Sequence, residues 1–584
     1  MYRPTDPQLS LMESRFLVSP KKRARLERSW AEAFRTHVLP LIDEEAFRAC
    51  FSADNGRPNT SIRLLVGLHL LKEADDLTDD QILDALEFNL QWQHALGVVP
   101  ADAHICEKTL HNFRHLMIGN PLAERLFERL TGAMMKADGL SAVRQRLDST
   151  HVISNIAVLS RLGLFSETVT NFLRDLRRDA PAKLDWLGEG YSARYLKREG
   201  FFADAKREEA PRRLPIVTTD LYALVRLFED DADVILWPSY LLLVRLMEEQ
   251  CTVSRASDPE VSPDPKATPT AAEVLPTVAE PPQKGSEATP TETPVLLTIK
   301  DPQEVGGDSL QSPHDPDATY GHKGKGYEVQ LAETCVRENP YEVITAVAVN
   351  GANVSDQHAT VPIIEKLIET GNKPDDMTVD TAYTGGENIV ASAKLGVNLI
   401  GPVQDPNKPA PAVPGEAPPA RVDPKPAALG SFTFNAVFDT VSACPQGQAP
   451  TEQHATKLGF EARFAGSACA TCPFAATCAS QRRAHTDDRV LVWRAPAAAT
   501  ANRQREQQEQ AFKQAYKIRS GIESTNAEFK GRHGARKLRV RGADRVTLAI
   551  HLKALALNAK RAVQYHTELL RAAVGTSQPT LAIG

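Results

Sequence analysis

Apolar positions recur at helical spacing through residues 22–138, in Ile62-Arg-Leu-Leu-Val-Gly-Leu-His-Leu-Leu, in Thr78-Asp-Asp-Gln-Ile-Leu-Asp-Ala-Leu and in Thr109-Leu-His-Asn-Phe-Arg-His-Leu-Met. Thr78 and Gln81 stand at the spacing of a capping box, which predicts a helix start. The pattern becomes extended over 142–156, around Arg146-Leu-Asp-Ser-Thr-His-Val-Ile, and returns to helical periodicity over 160–250. Two strand-like runs, Tyr327–Val336 and Val343–Val349, flank a turn at Glu338-Asn-Pro and predict a hairpin. A helix from about Asp356 to Thr370 follows, then a short strand at Met377-Thr-Val-Asp-Thr-Ala, a helix from near Glu387 and a last strand at Val397-Asn-Leu-Ile-Gly. Residues 501–574 read as almost wholly helical. A hairpin followed by alternating strand and helix is an α/β arrangement.

Composition adds boundaries to this pattern. A length of 584 residues predicts two to four folded units, and 42% apolar with 24% charged residues excludes disorder throughout. Residues 252–318 hold 12 prolines and residues 402–426 hold 9, together 21 of the chain's 40, so 252–318 and 402–428 are predicted to be linkers. The net charge of -6 excludes a uniformly basic chain, yet residues 501–561 carry 15 Lys/Arg against 5 Asp/Glu, a local +10 that leaves -16 elsewhere. A polyanion-binding face at that end is the direct expectation. The first residues lack the apolar core of a signal peptide, and the most apolar stretch, Ile235–Met247, is interrupted by Pro238 and Arg245 and too short to span a bilayer. A soluble cytoplasmic chain with no membrane partner is expected. Cys50, Cys106, Cys251 and Cys335 are scattered like reduced thiols, whereas Cys444, Cys469, Cys472 and Cys478 form a group with one CxxC. That group permits a four-thiolate zinc site or reduced buried thiols; zinc held so would be structural, since no position stays open for water.

The densest chemistry lies in Tyr516-Lys-Ile-Arg-Ser-Gly-Ile-Glu-Ser-Thr-Asn-Ala-Glu-Phe-Lys530. On one continuous helix, at about 100° per residue, Tyr516, Arg519, Glu523 and Lys530 share a single stripe. A surface salt-bridge ladder is the plain alternative. Asp380 ends an apolar strand before Thr-Ala-Tyr-Thr-Gly-Gly, where ligands gather in α/β sheets, although such residues also cap loops. Asp148 lies inside a strand, where an ionised carboxylate is paired, metal-bound or on a solvated edge. Carboxylates beside Thr, Tyr and Arg rather than His or Cys suit Mg²⁺ or Mn²⁺, and two such ions can activate a hydroxyl and stabilise the leaving oxygen of a phosphodiester.

These motifs resemble those of bacterial insertion-sequence DDE transposases. Tyr516-x2-Arg519-x3-Glu523-x6-Lys530 is similar to the Y-R-E-K signature, Asp148-Ser-Thr and Asp380-x-Ala-Tyr-x-Gly to the two aspartate motifs, and His314-Asp-Pro-Asp-Ala-Thr-Tyr and Gly321-His-Lys-Gly-Lys-Gly-Tyr-Glu-Val-Gln to a subgroup with a helical N-terminal domain. The resemblance implies an α/β ribonuclease H-like core with a mixed sheet, an all-α N-terminal domain, a helical insertion and a small Cys-rich insertion. In those terms 22–138 is a DNA-binding domain, 142–156 the first core strand, 160–250 the helical insertion, 319–401 further core, 429–495 the Cys-rich insertion and 501–574 the C-terminal catalytic helices. It further implies two Mg²⁺ (or Mn²⁺) held by Asp148, Asp380 and Glu523, with Tyr516, Arg519 and Lys530 on phosphates near the cleaved end. His533, Arg536, Arg539 and Arg541 extend the basic face, and His111 and Arg114 lie on a segment like the second helix of a helix-turn-helix. Related chains carry a similar Cys-rich insertion, which favours structural zinc. The implied function is cut-and-paste transposition by a nucleoid-associated homodimer, on terminal inverted repeats and target DNA. The rival expectations are a non-catalytic DNA-binding protein or inactive remnant, and a metal-dependent nuclease without strand transfer.

Overall fold

The computed structural model describes residues 1–5, 12–13, 15–53, 55–202, 207–255, 273–274, 295–404 and 428–575. Most of the two proline-rich stretches lies outside the described residues. At the edges of the first, however, Cys251–Arg255 pairs antiparallel with Val295–Ile299, and Leu310, Asp315 and Ala318 are buried. The proline content therefore overstates that linker: 295–318 is ordered structure packed on the fold.

The central sheet is built from β1 (Arg144–Val152), β2 (Thr319–Gly321), β3 (Gly324–Thr334), β4 (Ile344–Gly351), β5 (Asp376–Thr378) and β6 (Asn398–Ile400). Its order is β4–β3–β1–β5–β6, with β2 hydrogen-bonded to the start of β3. β3 runs antiparallel to both β1 and β4, while β1, β5 and β6 are mutually parallel. The expected hairpin is the β3–β4 pair. β5 and β6 are only three residues long each, and their central residues Met377 and Leu399 are buried.

Side chains alternate across β1, so its two faces enter different cores. Leu147 joins Ala332, Ile364, Met377 and Leu399 under the helices Thr360–Glu369 and Gly386–Lys394, and that core runs on through Phe432 and Trp493 into the Cys-containing module. Val152 joins Val329, Leu331 and Phe529 on the opposite face. There the sheet is covered by two helices, here α3 (Gly521–Gly531) and α4 (Ala543–Gly575). The N-terminal block contributes α1 (Asp79–Phe88) and α2 (Glu107–Met117), and the capping box at α1 is formed as expected, with Thr78 and Gln81 bonding reciprocally.

The N-terminal helices and α4 share one core: Phe34, Leu65, Leu68 and Phe127 pack in the same cluster as Ile550, Leu552 and Leu555. α4 is apolar around much of its circumference because it is wedged between these helices and the sheet. The helical insertion has its own core, formed by Phe165, Phe172, Leu221, Phe228 and Leu243 of the helices Arg161–Asp179, Ala210–Phe228 and Pro238–Gln250.

Candidate active site

The register of the sheet brings the two aspartates level. β1 and β5 are paired with Arg144 opposite Asp376 and Arg146 opposite Thr378; continued by two residues, the same offset sets Asp148 opposite Asp380. Neighbouring strands lie about 4.8 Å apart, so residues more than 200 positions apart in sequence become neighbours. Asp380 itself follows the end of β5, where its Oδ1 accepts from the Ala382 amide at 2.8 Å. This local turn bond leaves Oδ2 for Arg519.

α3 completes the group from the covering layer. The Arg519 Nη2 lies 3.4 Å from Asp148 Oδ1 and 3.6 Å from Asp380 Oδ2, while its Nη1 is 3.1 Å from Glu523 Oε1. Three carboxylates drawn from β1, the β5 exit and α3 thus converge on one guanidinium. Asp148 is only 9% exposed, whereas the Glu523 side chain is 64% exposed. Burial raises the Asp148 carboxyl above its ordinary value; Arg519 opposes this and the Asp380 charge adds to it.

The helical stripe read from the sequence is corrected in one respect. Tyr516, Arg519, Glu523 and Lys530 are not on one continuous helix: the helix Gln510–Tyr516 ends, Lys517–Ser520 is a single 3₁₀ turn, and α3 starts afresh at Gly521. The cause is tertiary. Arg146 of β1 donates from Nη1 to the Ile518 carbonyl at 3.0 Å, and its guanidinium occupies the space that a Cβ on Gly521 would need. Arg146 also pairs at 2.7 Å with Glu333, which is fully buried and accepts further from Arg561 at 2.6 Å and Thr525 at 2.5 Å. This network fixes α3 to the sheet, and hence the reach of Glu523 towards Asp148.

Asn526, which the sequence reading missed, donates from Nδ2 to Asp148 Oδ2 at 3.1 Å, and its own buried Oδ1 has no hydrogen-bond partner among the described residues. Its signal was present: it stands one turn after Glu523 on the same helix face. Lys323, at the tip of the β2–β3 hairpin, donates to Ser149 Oγ at 3.0 Å and pairs with Glu328. Burial lowers the pKa of Lys530, and the neighbouring Lys323 charge lowers it further, with Arg536 adding to the effect. Tyr516 is half-buried, its hydroxyl shifted upward by burial, and stacks on Phe512 at 6.0 Å between centroids.

The remaining basic candidates divide. Arg536 is exposed. Arg539 is paired with Asp76 at 2.9 Å, and Arg541 donates to the Asn155 carbonyl. His533 is a correction: it is fully buried, with Nδ1 3.0 Å from the Glu73 carbonyl, because the basic loop after α3 tucks under the N-terminal helices. It offers no surface to a phosphate. On α2, Leu110, Phe113 and Met117 are buried and His111 is exposed, but Arg114 makes a two-pronged pair with Asp79 at 2.9 and 2.5 Å. A groove of about 410 Å³ nevertheless brings these ends together, and its lining is mixed in sign: Arg114, Lys537, Arg539 and Arg545, with His111 and His115, stand among Glu73, Asp76, Asp79, Asp80 and Glu107.

Cys444, Cys469, Cys472 and Cys478 line one small cavity of about 20 Å³, together with Phe432 and Phe464, and all four are free thiols. Among the described residues, no group of three or more His, Cys, Asp or Glu side chains is arranged to hold a metal ion. At the carboxylate group the donor chemistry is that of a hard cation, all oxygen, and the point of convergence is taken by Arg519.

Known families bear on this geometry. A family model described as a transposase DDE domain matches residues 443–563, and one described as a transposase domain (DUF772) matches residues 24–116. Together these matches support a DDE transposase. The first spans Glu523 and the four grouped cysteines, and the second ends within α2. No curated protein and no solved structure matches the chain. Among the described residues, no helix is long and apolar enough to cross a membrane.

Proposed function

We propose that the chain is a metal-dependent DNA transposase with a ribonuclease H-like core, which cleaves at the terminal inverted repeats of its element and joins the resulting 3′-hydroxyls to target DNA. The single observation that carries this reading is the convergence of Asp148, Asp380 and Glu523 from two parallel strands and a covering helix. The strand order β4–β3–β1–β5–β6, antiparallel on one side of β1 and parallel on the other, supports the same core.

Asp148 and Asp380, with Glu523, would hold two Mg²⁺ or Mn²⁺ ions, which when bound supply Lewis-acid activation of the attacking hydroxyl and stabilisation of the leaving oxygen. The chain's own residues do the rest. Asn526 orients the Asp148 carboxylate through Oδ2, and the Arg146–Glu333–Arg561 network holds α3 at the sheet. Lys530 and Lys323 offer cationic nitrogens beside Asp148 for non-bridging phosphate oxygens, and Tyr516 flanks the same acidic group. The groove between α2 and the loop after α3, with exposed His111 and Arg536 nearby, is the proposed track for the DNA backbone. Arg114 and Arg539 would have to exchange Asp79 and Asp76 for phosphate to take part. Two ends require two active sites, so a homodimer is the proposed working form. The grouped cysteines are proposed as a structural zinc site on the strength of their shared cavity; bound-metal content should fall on Cys472→Ser.

The test is cleavage and joining of an end-bearing duplex in Mg²⁺ by the wild type and by Asp380→Asn. The reading requires end binding by both and cutting and joining only by the wild type. Cutting without joining would reduce the function to a nuclease, and end binding without cutting by the wild type would make it a non-catalytic DNA-binding protein.

A further inference from the structure

The side chain at the centre of the acidic group is itself a cation, and its contacts are of an unusual kind. Arg519 reaches Asp148 at 3.4 Å, Asp380 at 3.6 Å and Glu523 at 3.1 Å. Arg146 and Arg561, by contrast, grip Glu333 at 2.7 and 2.6 Å. The buried Nε of Arg519 has no hydrogen-bond partner among the described residues. One positive charge is spread over three negative ones at distances longer than charge-assisted hydrogen bonds adopt.

We propose that Arg519 is a displaceable counter-cation: its guanidinium and a divalent metal ion compete for the same carboxylate oxygens, and as the metal enters the arginine is released to a phosphate of bound DNA. The proposal deepens the transposase reading and rests on it. A divalent ion carries twice the charge of a guanidinium and brings it closer to oxygen, so three carboxylates favour it. The guanidinium fork matches a phosphate as well as it matches a carboxylate, so released Arg519 has a ready partner in DNA and none in its absence. The backbone permits the exchange: Arg519 sits in the single 3₁₀ turn Lys517–Ser520, between two helices, with Lys517 and Ser520 exposed on either side. Movement of one turn suffices. The consequence is linkage: metal and DNA each strengthen the binding of the other by the same factor, through Arg519.

The experiment is titration of the full-length chain with Mn²⁺ alone, by calorimetry or by the electron paramagnetic resonance signal of free Mn²⁺, then again with a short end-bearing duplex. Arg519→Gln should bind Mn²⁺ about five-fold or more tightly than the wild type without DNA, and should lose the further gain that DNA gives the wild type. Lys517→Gln removes an exposed charge from the same turn and should change Mn²⁺ affinity less than two-fold. Arg519→Lys, which keeps the charge and loses the fork, should fall between Gln and wild type. If Asp380-dependent Mn²⁺ binding is present but unchanged or weaker in Arg519→Gln, displacement is overturned and the acidic site stands. An equal gain in Lys517→Gln overturns it too, since long-range charge would then explain the effect. If neither the wild type nor Arg519→Gln shows binding that Asp380→Asn abolishes, the metal site fails and the proposal with it.

Discussion

Two arginine–carboxylate clusters lie on the same face of the sheet, two residues apart along β1, and they are built on opposite plans. Around Glu333 two arginines and a threonine hydroxyl close on one fully buried carboxylate at 2.5–2.8 Å. Around Arg519 three carboxylates share one guanidinium at 3.1–3.6 Å, and both the Arg519 Nε and the neighbouring Asn526 Oδ1 are left without partners among the described residues. The first cluster is satisfied and gains nothing from a ligand. The second has excess negative charge and unspent hydrogen-bonding capacity, which is what a binding site for cations and phosphates needs. Buried charge marks structure when it is neutralised, and function when it is not.

Mutations can break this comparison from either side. The largest expected effect is on chemistry: Asp148→Asn should lower DNA cleavage by at least about 10³-fold. Because burial disfavours the charged form of Asp148 in the folded state, the same substitution should leave the melting temperature unchanged or higher. Glu333→Gln should do the reverse. It leaves Arg146 and Arg561 without their buried anion and should cost about 3–5 kcal/mol of stability in denaturant titration, while folded molecules, with α3 less firmly held, lose less Mn²⁺ affinity than Asp148→Asn does. An Asp148→Asn protein that melts well below the wild type would place both clusters in the structural class.

Asn526→Ala sits between these extremes. Losing the bond to Asp148 Oδ2 should reduce cleavage about ten-fold and weaken Mn²⁺ binding, with little change in melting. The smallest effect is on acid stability. Burial works against the charge on Glu328, but the His151 ring 3.7 Å away and the hydrogen bond from Lys323 prevail and hold it down at about 2, against an ordinary 4.5. A depressed carboxylate stabilises the fold fully above its unfolded value, so that contribution should fade as the pH drops from about 4.5 to about 2. Glu328→Gln should flatten the stability curve across that window, and an unaltered curve would show that Glu328 is not held in this way.

Much of this was legible along the chain, for reasons that can be named. The capping box at Thr78 and the hairpin from Gly324 to Gly351 are set by local pattern and formed where the pattern put them, while the short strand before Asp380 formed but ends at Thr378, two residues earlier than read. Asp148 and Asp380 stood out because carboxylates inside or just past a strand conflict with burial unless something uses them, and the exposed Glu523 stood out only by its spacing from Tyr516, Arg519 and Lys530. What local pattern does not carry is an intrusion from elsewhere. The helix breaks after Tyr516 because Arg146, 372 residues before Ile518, takes that carbonyl. His533 reads as part of a basic run but is buried against Glu73, and Arg114 and Arg539 read as free cations but are held by Asp79 and Asp76. A one-dimensional charge count records which ions are present, and only the fold records which are already paired.

The most direct test of the central claim is where a metal ion sits on the polypeptide. With Fe²⁺ in place of Mg²⁺ and a brief peroxide pulse, hydroxyl radicals cut backbone close to the bound ion, and the fragments can be sized. The account predicts cuts clustered near residues 148, 380 and 523 in the wild type, all lost together in Asp380→Asn. Cuts confined to one of the three positions, or unchanged by Asp380→Asn, would contradict a shared carboxylate site.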